Sequence, residues 1–268
     1  MRRPLMIAIG VLVLVGSPTG LRSWSNGPAG NATTNEASEC ASPSYATHDW
    51  IADHARDLLP AAEQAWLTPH RTMYLLGTEA PDSRNIPAAC GAPHTGYDDR
   101  IRGHSVDWNA AHTEMTQTRA ARRAQEEYSK AVIAFEEGDP SAAAFYLGAM
   151  AHYIGDVSQY GHSYPNEDHH GDYERRVRNQ TDQFYDGVFE SYLVVDSFVR
   201  RRPFTAVKRI SRATSGGRGR ILPAEEMDAL YAARPQRYTD SIGASLNLAV
   251  NELADVLHTF FLNVVDAD

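Results

Sequence analysis

Residues 142–174 read AAAFYLGAMAHYIGDVSQYGHSYPNEDHHGDYE. Inside this stretch His152 and Asp156 lie four residues apart in an apolar run of Phe145, Tyr146, Leu147, Met150, Tyr153 and Ile154. A helix here projects the imidazole and the carboxylate from one face. His162 follows six residues later, past the expected helix end, and His170 and Glu174 repeat the i, i+4 spacing where another helical pattern begins. A lone histidine on an apolar helix face is ordinarily a hydrogen-bonded core residue. Asp156 alters that reading, because a carboxylate buried in the same face is costly unless it is paired or bound to a cation. The stretch offers no Lys or Arg before Arg175. The cation must come from outside the helix, and imidazole with carboxylate is the ligand set that suits Zn²⁺, with a carboxylate able to bridge two ions.

Around this centre the chain reads as helices. From His48, the residues Trp50, Ile51, His54, Ala55, Leu58 and Leu59 recur at three- and four-residue intervals up to Pro60. His48 falls at the start of that helix, and His54, one turn on, reads as structural. Residues 67–108 show no sustained period; Pro69, Pro81, Pro87 and Pro93 with Gly77, Gly91, Gly96 and Gly103 mark a long irregular region. Loops of that size in a compact domain are usually functional, and this one holds Asp82 and His104, with His94, Asp98 and Asp99 as competitors. Residues 110–137 read as a helix stopped by Gly138-Asp139-Pro140. Residues 172–202 read as one long helix with Phe184, Tyr185, Val188, Phe189, Tyr192 and Leu193 on a stripe. Residues 215–220 read as a loop, and 224–233 and 237–265 as two further helices, the last with Leu246, Leu248, Val250, Leu253, Val256, Leu257 and Phe260 inward. No convincing strand run is present, so residues 46–268 are expected to form one all-α domain of several helices.

The beginning of the chain has a different character. Arg2 and Arg3 precede eleven residues from Leu5 to Val15, nearly all apolar, too few to span a bilayer, so residues 1–23 have the shape of a secretory signal peptide. Residues 24–45 are rich in small and polar types and read as a flexible leader. Export suits the two cysteines, Cys40 and Cys90, which form either one disulfide or two free thiols. Removing residues 1–23 takes away three arginines and no acid, moving the formal charge from −9 to −12. A binder of nucleic-acid backbone is normally basic, although bound zinc would add positive charge at the one place that matters.

The pattern H-Y-x-G-D-x-x-x-x-x-H, preceded by A-x-F-Y-L-G and followed by H-x-x-x-E, resembles the ligand core of the bacterial zinc-dependent phospholipase C family. Its first half is shared with the related single-strand nucleases of the P1/S1 type. The likeness extends to T-H-x-x-I (Thr47, His48, Ile51), to G-T-x-x-P-D (Gly77, Thr78, Pro81, Asp82) and to His104 ahead of Trp108, and so covers roughly residues 47 to 176. It implies an all-α fold binding two or three Zn²⁺ ions. Asp82, His104, His152 and Asp156 would hold one ion. Asp156 would bridge to a second, completed by His48 and the mature N-terminus. His162, His170 and Glu174 would hold a third, with His169 as the alternative to His170. Asp82 would also serve as general base or orient the attacking water.

Two departures bear on this. The family's processed N-terminal Trp has only Trp24 as its counterpart, further from His48 than expected, and the gap from Asp82 to His104 is long, as an insertion carrying Cys90 and pinned to Cys40 would make it. The implied activity is hydrolysis of phospholipids to diacylglycerol and a phosphorylated head group by a secreted monomer that touches a membrane surface transiently. Ser83 follows Asp82 where the family would place an aromatic, so the head group need not be phosphocholine. The alternatives are a P1/S1-like nuclease, which would act on nucleic acid but whose N-x-H-x-x-W-D segment is missing here, and a non-catalytic zinc-binding surface protein.

Overall fold

The computed structural model describes Cys40 and residues 45–83, 85–97, 99, 103–181 and 187–265. The expected signal peptide of residues 1–23 and most of the expected leader, Trp24 included, lie outside them, as do Asp98, Phe184 and Tyr185.

The architecture is built around helix α5, Pro140–Asp156. Proline at its first position costs no helical hydrogen bond, and the Asp139 carboxylate caps the start by accepting from the Ala142 N–H at 2.9 Å. Apolar residues lie all round this helix, which is what an enclosed helix requires, and from Ala142 to Asp156 only Tyr146 is not buried. Helix α4, Arg119–Glu136, packs along one side of it and helix α3, Arg71–Glu79, along another. The α3 contact depends on two glycines. A Cβ on Gly77 would lie 2.0 Å from the Phe145 carbonyl oxygen, and one on Gly148 would lie 1.9 Å from that of Tyr74. No other residue type fits so close an approach of two backbones.

Helix α1, Thr47–Leu58, is tied to α3 through Asp49, which accepts from the Thr78 hydroxyl at 2.8 Å and from the Ala46 N–H at 3.1 Å. Helices α2 (Ala61–Leu67), α6 (His170–Thr181), α7 (Pro203–Gly216) and α8 (Ala224–Leu230) complete the shell with α9, Gln236–Val265, which packs against α1, α5 and α7. Leu246, Val250, Leu253, Val256, Leu257 and Phe260 of α9 are fully buried. The fold is all-α. Among the described residues no helix is long and apolar enough to cross a membrane.

Several boundaries differ from the sequence reading. The irregular region contains α3, nine residues whose signal is lost among the prolines and glycines on either side. Residues 110–118 are not helical: Asp107–Trp108 (β1) pairs antiparallel with Met115–Gln117 (β2), and Asn109 closes the turn by accepting from the Thr113 N–H at 2.9 Å. The long helix expected over 172–202 does not form. Helix α6 ends at Thr181, Gly187 takes a positive φ of 66°, and residues 193–202 run extended along α9. Their N–H groups are satisfied by α9 side chains instead of by a helix: Val194 bonds Asn247, Asp196 bonds Asn251, Val199 bonds Asp255 and Arg201 bonds Thr259. The cysteines do form a bridge, Cys40 to Cys90.

Candidate metal centre

Helix α5 delivers His152 and Asp156 into the interior, both completely inaccessible to solvent. His48 arrives from the first turn of α1, Asp82 from the turn after α3, His104 from the segment before β1, His162 from the short turn after α5, and His170 and Glu174 from successive turns at the start of α6. All eight positions singled out in the sequence thus converge. Asp156 is their hub: its Oδ2 lies 2.6 Å from His104 Nδ1 and 3.2 Å from His152 Nε2, while its Oδ1 lies 3.4 Å from His48 Nε2 and 3.5 Å from His162 Nε2. Asp82 Oδ1 is 3.6 Å from His104 Nε2 and 4.0 Å from His152 Nε2. Glu174 Oε1 stands between His170 Nε2 at 2.8 Å and His162 Nε2 at 3.4 Å. Three groups emerge, each with ligand atoms within 4.8 Å of one another: His48, His152 and Asp156; Asp82, His104 and His152; and His162, His170 and Glu174.

The surroundings fix which nitrogen of each ring is presented. The Thr78 carbonyl accepts from His152 Nδ1 at 2.6 Å, leaving Nε2 as the lone-pair nitrogen turned inward. Glu167 Oε1, 2.9 Å from His170 Nδ1, plays the same part for that ring. His48 stacks on His152 with centroids 4.0 Å apart, and a Cβ on Gly155 would lie 2.9 Å from His48 Nδ1, so the glycine between the two α5 ligands makes room for the third.

Charge is concentrated here. Burial opposes protonation of His104, but the adjacent Asp156, Asp99 and Asp82 outweigh it and hold its pKa well above the usual value. His152 is raised on the same balance by Asp156 and Asp82. Burial likewise opposes a charged His170, yet Glu167 and Glu174 bring it up to about 10. His48 is instead lowered, by burial and then by His152. Burial would raise Asp156, but the imidazoles of His152, His104 and His162 bring it well below the carboxylate range.

Divalent ions fit this donor set. Both oxygens of Asp82, Nε2 of His162 and Oε2 of Glu174 are buried without a hydrogen-bond partner, a state that polar atoms do not ordinarily tolerate. Tetrahedral zinc with bonds of about 2.0–2.1 Å separates neighbouring donors by about 3.3 Å. The donor pairs at 3.2, 3.4, 3.5 and 3.6 Å match that spacing.

Of the competing residues that are described, the histidines lie apart from the centre and Asp99 does not. His94 accepts from the Gly96 N–H and stacks on Tyr97. His54 bonds the Trp50 carbonyl oxygen, and His169 turns to Asp228 at 2.9 Å and stacks on Tyr231. Asp99 does reach the centre, its Oδ1 3.2 Å from His104 Nε2, but its Oδ2 is engaged by the Tyr153 hydroxyl and by Arg123. Two neighbours went unread in the sequence. Glu167 carries a usable signal, since it lies three residues before His170. Gln159 carries none: its amide oxygen accepts from the Gly161 and His162 N–H groups while its Nε2 approaches Glu174 at 3.4 Å.

The family profile described as zinc dependent phospholipase C matches residues 47–212. Solved structures that share the fold include two toxins. Alpha-toxin of Clostridium perfringens from an avian strain superposes with a TM-score of 0.55 at 17% identity, over 83% of this chain and 65% of that one. Alpha toxin from Clostridium absonum gives 0.53, again at 17% identity, over 83% of this chain and 66% of the toxin. The chain therefore spans just under two thirds of the length of either toxin, and at that identity the likeness is one of fold. No curated protein matches the chain.

Proposed function

The chain belongs to the zinc-dependent phospholipase C family, and from that premise we propose that it is a phospholipase C, hydrolysing the phosphodiester of phospholipids to diacylglycerol and a phosphorylated head group. The observation that carries this reading is the placement of Asp156, with imidazoles on both of its oxygens and a separate His162, His170 and Glu174 group beside it. A purely structural role would need one closed site, whereas adjoining sites suit in-line displacement at phosphorus.

Asp82, His104 and His152 with Asp156 would hold one ion, His48 with Asp156 a second, and His162, His170 and Glu174 a third. Bound zinc supplies Lewis acidity toward phosphoryl oxygens and brings the pKa of the water it holds toward neutrality. We assign Asp82 as the base; its side chain is only 7% exposed and neither carboxylate oxygen has a hydrogen-bond partner, which supports that role. It accepts one proton from the attacking water. The water oxygen bonds to phosphorus as the bond from phosphorus to the glycerol oxygen breaks, and the departing oxygen leaves as the hydroxyl of diacylglycerol by taking that proton. Thr78 and Glu167 keep the His152 and His170 rings aimed. The disulfide and the signal-like residues 1–23 support a secreted enzyme.

The test is elemental analysis of the purified secreted protein combined with hydrolysis of a soluble chromogenic phosphocholine ester. Two or three equivalents of zinc are expected, and His152→Ala should lower that count and abolish turnover while far-UV circular dichroism stays helical. Cleavage of single-stranded DNA without any phospholipase activity would replace the reading with a nuclease. Zinc without activity on either substrate would replace it with a binding protein.

A further inference from the structure

We propose that residues 194–199 and the exposed face of α7 form a surface that docks on an anionic phospholipid bilayer. The phospholipase reading supplies only the reason for a lipid partner; the surface itself stands on its own observations.

The extended segment before α7 is strapped to α9. Val194, Asp196, Val199 and Arg201 donate their N–H groups to Asn247, Asn251, Asp255 and Thr259 at 2.8, 3.2, 2.8 and 2.7 Å, acceptors that recur every four residues along one face of α9. With its backbone held in this way, the segment leaves apolar side chains outside. Val194, Val195, Phe198 and Val199 are 66%, 62%, 36% and 49% exposed, and they are four of the five exposed large hydrophobic residues among those described. Such clustering marks an interaction site, where scattered single exposures would mean nothing.

The chain then turns basic. Residues 200–220 carry eight Lys and Arg and no acid, in a protein of formal charge −9. Arg201 and Arg209 grip the two oxygens of Glu252, at 2.9 and 2.5 Å, so the strap and α7 lie side by side against α9. Arg202, Lys208, Arg212, Arg218 and Arg220 remain exposed. At the end of α7, Arg209, Arg212 and Arg218 line a cleft of about 520 Å³ with His112, which gives a phosphate-bearing head group a place to sit. The same helix reaches the metal centre, for Thr214 bonds Ser163, next to His162, and Ser211 bonds Trp108 beyond His104.

Aliphatic side chains beside exposed cations match an interface of hydrocarbon and anionic head groups. A nucleic acid would use the cations but leave the valines without a function, and a second copy would set like charge against like.

The test is co-sedimentation of the full zinc-loaded chain with vesicles of phosphatidylcholine alone and of phosphatidylcholine mixed with phosphatidylglycerol, in incubations short enough that little lipid is consumed. Binding should favour the mixed vesicles and weaken as salt rises, a readout that needs no variant. Combining Lys208→Gln, Arg212→Gln and Arg218→Gln should weaken it about a hundredfold, from three lost surface charges. Val194→Ser with Val195→Ser should weaken it about tenfold or more. Both variants should retain turnover of the soluble ester, and His152→Ala should retain vesicle binding, so failure of this surface and failure of the active-site reading are distinguishable. Equal binding to both vesicle types, or binding that the charge variant leaves intact, overturns the proposal. So does retention of single-stranded DNA without vesicles, or a dimer that these substitutions break in the absence of vesicle binding.

Discussion

The Thr78 carbonyl oxygen accepts from His152 Nδ1 at 2.6 Å, joining α3 to the helix that carries the buried ligands. That bond exists because the two helices touch backbone to backbone at Gly77 and Gly148. A methyl group on Gly148 would meet the Tyr74 carbonyl oxygen at 1.9 Å, and α3 would have to move, carrying Thr78 and Asp82 with it. Gly148→Ala should therefore destabilise the protein by about 1–3 kcal/mol, as overpacking does, and also lower zinc content. Urea unfolding and metal analysis check it; wild-type values in both would show that the helices adjust without disturbing the centre.

The acidity of the cluster gives a pH dependence with a definite sign. His104, His152 and His170 are raised above their ordinary value despite burial, because carboxylates face them. In the metal-free protein such groups contribute stability that is complete below the unfolded pKa of about 6.5. It is lost as the pH rises through the folded values, about 10 for His170. Asp156, held low, contributes above its unfolded value of about 3.9 and loses that contribution as pH falls through the folded one. His48, held low by burial, acts the other way: the unfolded chain takes up its proton below about pH 6.5 and stability falls. The chelated protein should accordingly be most stable near about pH 6.5, lose stability on acidification and melt at lower temperature toward pH 10. Zinc must displace the protons, so its affinity should fall on acidification and its uptake near neutrality should release protons. Melting curves of chelated and zinc-loaded protein across that range decide the matter, and a chelated form that gains stability above neutrality would contradict it.

The candidate ligands were legible in the sequence where they belong to a local pattern. His152 with Asp156 and His170 with Glu174 keep helical spacing, and a carboxylate on an apolar helix face in a stretch without Lys or Arg announces that a cation must come from elsewhere. Asp82 and His104 were harder, since only the family pattern singles them out from Asp99 and His94, and Asp99 indeed comes as close to His104 as Asp82 does. The error over residues 187–202 has a physical origin. The three- and four-residue spacing of Phe189, Tyr192 and Leu193 is real and Phe189 is fully buried, but the N–H groups that a helix would satisfy locally are taken by Asn247, Asn251, Asp255 and Thr259 from more than fifty residues away. A competition won by a distant helix face leaves no trace in local periodicity. The same limit hid the hairpin of β1 and β2, whose turn sequence of Ala110, Ala111 and His112 favours a helix until Asn109 closes it.

The disulfide joins positions 50 residues apart and pins the loop bearing Cys90, on the side of the molecule where Phe145, Leu76 and Ile86 form a small cluster. Closing a loop of that length is worth up to about 4 kcal/mol on chain entropy. Replacing both cysteines by serine should thus lower the unfolding free energy by about 2–4 kcal/mol, while zinc content is unchanged, because Cys40 and Cys90 lie outside the three ligand groups. Loss of zinc in that variant would mean that the insertion also positions Asp82 or His104.

Glu167 tests whether the third group is a separate site. Its carboxylate lies 2.9 Å from His170 Nδ1, and His170 Nε2 lies 2.8 Å from Glu174, so the ring is held from both ends with Glu167 on the outer side. Partners of this kind, behind a ligating histidine, typically change metal affinity about 10–100-fold when removed. Glu167→Gln preserves shape and removes charge. It should weaken one zinc equivalent by that factor and leave the others in place, since the groups around Asp156 do not include His170 or Glu174. Competition with a chelator of graded strength resolves the equivalents one by one. Uniform weakening of all of them would show that the ions bind as one cooperative cluster through the shared approach of His162 to both Asp156 and Glu174, and that no third site exists apart from the rest.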